Sequence, residues 1–284
     1  MEFKISNKAK LFTLVMVVVG VVFTGIGMAM NYNHDGDFNI TKLLVSGLTS
    51  GFFFFSLGLG ALFFLALQYA TETGWYASVK RIIEAVTGFI PYGIGILVLL
   101  LAVISAMDGA HIYIWMDPQY TTEGSGHYDE IIAGKGAYLN MTFFWVRTIA
   151  YLGVYFLFWR GFKNRSLEED RVGGTDLHFK NYKKGALFLV FFSVFSSTSA
   201  WDWIMSIDVH WFSTLFGWYV FAGMWCSTMV TLVMLTLYLK KQGYIEKVND
   251  SHIHDLGKWT FATSFLWSYL FFSQFMLIWY ANIP

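Results

Sequence analysis

The chain has 284 residues, 56% hydrophobic and 20% aromatic, and only 13% are charged, against about 25% in soluble domains. So few charges cannot cover the apolar surface of a soluble enzyme, and 19 basic against 19 acidic residues exclude the electrostatic footprint of a nucleic-acid binder. The single cysteine, Cys226, excludes a disulfide framework and a thiolate metal cluster held by this chain alone, which leaves a polytopic membrane protein.

Seven apolar stretches follow one another, at about 11–30, 43–69, 85–107, 139–159, 185–207, 211–239 and 259–281. Each is long enough to cross a hydrocarbon core of about 30 Å as a helix. In lipid every backbone amide needs an internal partner, so an all-α bundle of membrane helices is expected, in one membrane domain spanning 1–284. The alternating pattern of a membrane β-barrel is absent. The first stretch follows Lys4, Lys8 and Lys10 as a secretion signal would. It exceeds the roughly 7–15 residues of a signal core, however, and is read as a retained helix. Gly47 and Gly51 in the second stretch form a GxxxG pair suited to close helix contact.

The segments between stretches alternate between two faces. The face holding 1–10, 70–84, 160–184 and 240–258 carries sixteen Lys and Arg residues, and the other carries Lys42 and Lys135. By the positive-inside rule the N-terminus is expected in the cytoplasm. Residues 160–184, charged and containing Gly173-Gly174, read as an irregular solvated loop. On the other face, 108–138 is acidic and glycine-rich, and Trp201, Trp203 and Trp211 flank the short link between stretches five and six.

Several chemistries fail on this layout. None of the seven histidines lies within a stretch, which disfavours haem b. No lysine stands inside the last stretch for a retinal Schiff base, and no metal, phosphate or dinucleotide motif has a suitable context.

Only Arg147 and Asp202 place charge within the stretches. A charge there costs several kcal/mol unless paired or hydrated. Counting about 1.5 Å per residue, Arg147 stands roughly 18 Å and Asp202 roughly 25 Å from the basic face, within reach of each other. The pair reads either as a structural lock or as part of proton or quinol chemistry. Ser193, Ser196, Ser197, Thr198 and Ser199 lead into Asp202, as a water file or as helix-packing hydroxyls. Asp108, His111, Asp208 and His210 form an acidic–histidine set suited to proton transfer near neutral pH. Glu84, about 36 Å below Asp108 along one helix, reads either as the other end of a conduit or as an ordinary interfacial charge. Tyr269 and Gln274 in the last stretch are candidate hydrogen-bond donors for a quinone head group.

Three segments carry a resemblance. The run Ala200-Trp-Asp-Trp-Ile-Met-Ser-Ile-Asp-Val-His-Trp-Phe-Ser-Thr-Leu-Phe-Gly217 resembles a signature of the quinol-oxidising membrane subunits of bacterial alternative complex III. So do His254-Asp-Leu-Gly-Lys-Trp259 with the ending Trp279-Tyr-Ala-Asn-Ile-Pro284, and Arg81-Ile-Ile-Glu84 followed by Pro91. These subunits belong to the NrfD-like, polysulfide-reductase-like superfamily, and the short chain is similar to the smaller, second such subunit of the complex.

The resemblance implies a haem-free subunit with two four-helix bundles in a bacterial inner membrane, not catalytic alone. It implies a larger homologous membrane subunit, an iron–sulfur subunit and c-type cytochromes as partners beside lipids. It places haem c and iron–sulfur clusters in those partners, with quinol or menaquinol as the reductant and no cofactor held by this chain. Asp202, Asp208 and His210 match the signature, as do His254, Asp255 and Lys258. Val209 departs from it, standing where the family commonly has proline. The family has about ten helices, so further helices are expected beyond Pro284. Function is thus expected to be a proton pathway or quinone-site contribution within a respiratory quinol oxidoreductase. The rival expectations are a secondary transporter using Arg147 and Asp202 at depth, and a scaffold that docks cytochrome and iron–sulfur subunits.

Overall fold

A computed structural model describes residues 6–30, 40–107 and 112–282. Among them every regular element is helical: α1 (Asn7–Met30), α2 (Ile40–Ala70), α3 (Lys80–Thr87), α4 (Ile90–Ala106), α5 (Glu130–Gly134), α6 (Met141–Val172), α7 (Asp176–Trp203), α8 (Leu215–Lys241) and α9 (Asp250–Ala281). Seven spans are long and apolar enough to cross a membrane, α3 and α4 together forming the third. The chain is a multi-pass membrane protein.

Helices α2, α4, α6 and α7 close a four-membered ring, in which α2 and α6 each pack against both α4 and α7. Helix α8 lies against α2 and α7, and α9 lies against α8. No residue of α1 is buried. Lipid tails are as apolar as leucine, so close packing and buried polar bonds must hold such a ring. Glycines permit the approach. A side-chain carbon at Gly51 would stand 3.0 Å from Leu100 of α4, which accounts for the GxxxG pair. One at Gly185 would stand 2.8 Å from the Ala66 carbonyl of α2. Phe55, Phe64, Tyr69, Phe144, Tyr155, Phe162, Phe188 and Trp203 fill the interior. Edge-to-face contacts such as Phe55–Trp203 (6.3 Å between centroids) and Tyr151–Phe195 (5.0 Å) add about 0.5–1.5 kcal/mol each beyond burial.

Two expectations need correction. The third stretch is broken, because Pro91 lacks the amide that would continue the ladder of α3. Phe89 instead bonds the Val86 carbonyl in a tighter turn before α4 begins. Residues 160–184 are mostly helical: α6 runs on to Val172 and α7 starts at Asp176. Segment 160–172 is rich in Arg, Lys, Leu and Glu, all good helix formers, so the helix outlasts the apolar stretch. Only Gly173 (φ 69°) and Gly174 (φ 79°) turn the chain, in the left-handed region open to glycine. In the same way α9 begins nine residues before the apolar stretch, at a capping box of Asn249 and His252.

On the face opposite the basic one, residues 112–140 fold over the ring as a cap. Tyr113 Oη donates to the Trp203 carbonyl at 2.6 Å, and Trp115 Nε1 donates to the Ser206 carbonyl at 3.1 Å. Lys135 Nζ donates to the Val209 carbonyl. The cap thus grips the end of α7, where Asp202 sits.

Candidate functional site

Asn140 caps α6, its side chain accepting the Phe143 amide, and this places Arg147 on the ring face of the second turn. Asp202 comes from the last turn of α7. The guanidinium meets the carboxylate fork to fork, Nε to Oδ2 at 2.7 Å and Nη2 to Oδ1 at 2.9 Å. Asp202 is 0% exposed and Arg147 8%. Tyr151, one turn along α6, donates its hydroxyl to Asp202 Oδ2 at 3.0 Å. Arg147 Nη1 donates to the Tyr138 carbonyl at 3.0 Å. The guanidinium carbon lies 3.9 Å from the centre of the Tyr138 ring and 4.2 Å from that of Phe143. Partial burial and the Asp202 charge push the Tyr138 phenol up to about 12. Trp203 Nε1 donates to Thr148 Oγ1 at 3.0 Å and Ser206 Oγ to the Asp202 carbonyl at 2.5 Å, fixing the end of α7. A cleft of about 250 Å³ is lined by Lys135, Tyr138, Met205, Ser206, Asp208 and Phe212, and neither Arg147 nor Asp202 reaches its wall.

The remaining predicted residues divide. His210 Nε2 stands 2.8 Å from Asp129 Oδ2, so its acidic partner is Asp129 rather than Asp208. Asp129 also accepts the Ile131 and Ile132 amides at the start of α5. The amide of Ile132, ahead of the bond from His210, holds its carboxyl below the usual carboxylate range. Asp208 accepts the Trp211 amide at 3.4 Å in the turn before α8 and lines the cleft. Asp108 and His111 lie outside the described residues.

At the basic face Glu84 is at the centre of a second cluster. Ser166 Oγ donates to Glu84 Oε1 at 2.5 Å, and Arg81 Nη1 donates to Glu84 Oε2 at 2.5 Å and to Ser166 Oγ at 3.1 Å. Arg81 also pairs with Asp170, and Lys80 with Glu169 at 2.9 Å. These bonds tie α3 to the part of α6 that extends past the apolar stretch.

The serine row does not descend as one file from Asp202. Ser193, Thr198 and Ser199 hydroxyls donate to carbonyls of their own helix. Ser193, Ser196 and Ser197 face a different, apolar cleft of about 290 Å³ with Phe63, Trp218 and Phe221. Tyr269 and Gln274 do not converge on one ligand. Five residues turn a helix by about 140°, so the two point apart. Tyr269 is 58% exposed on α9, whereas Gln274 Oε1 accepts the Ser213 hydroxyl at 2.7 Å and ties α9 to the start of α8.

Sequence reasoning does not single out Tyr138, Tyr151 or the cap residues Tyr113 and Trp115. Tyr151 and Tyr155 follow Arg147 at i+4 and i+8, a legible stripe on one helix face. In a chain one-fifth aromatic the stripe does not stand out.

No protein-family model matches the chain, and no curated protein matches it.

Proposed function

We propose that this protein is a haem-free inner-membrane subunit of a bacterial quinol-oxidising electron-transfer complex of the alternative complex III type, its N-terminus cytoplasmic. In this reading it is a proton-handling subunit, not catalytic alone. A larger homologous membrane subunit, an iron–sulfur subunit and c-type cytochromes supply the redox centres, and quinol or menaquinol supplies electrons and protons.

One observation carries the reading: a fully buried carboxylate, Asp202, held by Arg147 and capped by the hydroxyl of Tyr151 in apolar stretches otherwise free of charge. Buried ionisable groups in membrane helices mark proton and substrate pathways. The sequence likeness of 200–217, 254–259 and 81–84 to the quinol-oxidising subunits points the same way. The cleft lined by Tyr138 and Ser206 lies on the face away from the basic loops, and these two residues bond Arg147 and the Asp202 carbonyl respectively.

The test is Asp202→Asn in the intact complex, with quinol turnover and proton release followed together. Proton release per quinol is expected to fall in complexes that assemble fully. Full assembly with both rates unchanged would reduce the pair to a packing element. That scaffold reading has its own support, because both oxygens of Asp202 are already satisfied within the chain. It predicts that the variant changes the amount of assembled complex and not its rate.

A further inference from the structure

Two buried hydroxyls have no hydrogen-bond partner among the described residues: those of Tyr155 and Tyr69, each on a side chain that is 0% exposed. An unpaired buried hydroxyl costs about 1–3 kcal/mol, so two of them in one ring call for a reason. Their positions supply it. Tyr155 is one turn below Tyr151 on the same face of α6, and Tyr151 bonds Asp202. Ser199 is the hydroxyl that interacts with that of Tyr155, short of the distance and angle of a formed hydrogen bond. Tyr69, at the end of α2, has Ser166 beside it in the same manner, and Ser166 bonds Glu84. One orphan hydroxyl therefore ends the polar row that starts at Asp202, and the other ends the row that starts at Glu84.

Between them stand two phenylalanines. Tyr155 contacts Phe188 (6.4 Å between centroids), Phe188 contacts Phe162 (6.3 Å), and Phe162 stacks on Tyr69 (5.5 Å). Both phenylalanines are buried to within 1%. Along α6, Tyr155 and Ser166 are about 16 Å apart. A proton moves between oxygens at hydrogen-bond distance, about 2.5–3.0 Å, so rings that neither donate nor accept interrupt the route.

Resting on the proton-handling reading above, we propose that Tyr155 and Tyr69 are the facing ends of two proton half-paths, and that the Phe188–Phe162 pair is the hydrophobic gate between them. The gate conducts only when water enters between the rings, as dewetted constrictions do in channels. Transfer is by exchange. Each hydroxyl accepts a proton on its oxygen and passes its own to the next oxygen, so the tyrosines are unchanged and no electrons move. Arg147 and Asp202 terminate one half-path; Glu84, hydrogen-bonded by Ser166 and Arg81, terminates the other.

The gate is tested with the full chain in proteoliposomes that enclose a pH-sensitive dye, under a potassium diffusion potential and without quinol. The wild-type chain is expected to hold a proton gradient. Phe188→Ala makes room for water, which needs about 30 Å³ per molecule, and is expected to raise proton flux at least about tenfold with no rise in sodium flux. Adding Tyr155→Phe removes the receiving oxygen and is expected to return the flux to the wild-type level. Phe162→Ala opens the same gap from α6 and serves where the Phe188 variant does not insert. Tight vesicles with both alanine variants, or a leak that survives Tyr155→Phe, overturn the gate. Because no quinol is present, a loss of quinol coupling in the Asp202→Asn complex bears on the proposed function and leaves this outcome separate.

Discussion

Two ionic clusters, one at each end of the helical ring, use the same groups in different surroundings. At the end covered by the cap, Arg147 and Asp202 meet with at most 9% of either side chain exposed and every carboxylate oxygen bonded. At the basic end, Arg81 joins Glu84 and Asp170 with 47% of its side chain and 57% of that of Asp170 exposed. Water screens Arg81 and Asp170, and Glu84, 14% exposed, keeps the Ser166 hydroxyl when Arg81 is lost. Nothing screens the first, so its partners depend on each other. The comparison shows that the number of ion pairs says little, while their burial decides what breaking one costs.

The largest expected effect comes from removing one partner of the buried pair. Arg147→Met leaves Asp202 buried and unpaired and is expected to cost about 3–5 kcal/mol, whereas Arg147→Met with Asp202→Leu should recover most of the loss. Unfolding of the purified chain in detergent, compared as a double-mutant cycle, measures both. Equal losses in the single and double variants would mean that the pair is not coupled as its geometry requires. At the basic end Arg81→Gln is expected to cost at most about 1 kcal/mol and to lose that effect in high salt. A cost matching that of Arg147→Met would erase the contrast between the ends.

The smallest effect concerns the cap. Asp129 is held below the ordinary carboxylate range by the Ile132 amide and by His210. A depressed carboxylate adds stability above its unfolded pKa and loses it as pH falls through the folded one. Amide protection at 131–132 is therefore expected to decline only below the usual carboxylate range, and earlier in His210→Gln. Protection that is independent of pH in both proteins would remove Asp129 as the anchor of α5.

The spans and the buried pair were legible in the sequence because lipid imposes simple arithmetic. About twenty apolar residues make a crossing, and a lone charge of each sign within reach must find the other. Helix length was not legible. Hydropathy marks the membrane, and α6 continues past it on Arg, Glu and Leu with as much helical preference as the apolar part. The break before α4 was written in Pro91, yet a hydropathy window averages over it. The tyrosine row was hidden for another reason. Among 16 tyrosines and 29 phenylalanines, only three-dimensional packing separates Tyr151, bonded to Asp202, from Tyr269, exposed on α9. The partner of Gln274 was not legible either, because a polar residue in a span can serve as a cross-helix tie, here to Ser213, as readily as a ligand site.

The most direct test of the proton-handling role uses the intact complex carrying Arg147→Met together with Asp202→Leu. This replacement removes both charges without leaving either one buried alone, so assembly should survive. Proton release per quinol oxidised is then measured in sealed vesicles. Normal assembly is expected, with release clearly below that of the wild-type complex. Normal assembly with wild-type release would contradict the proton-handling role.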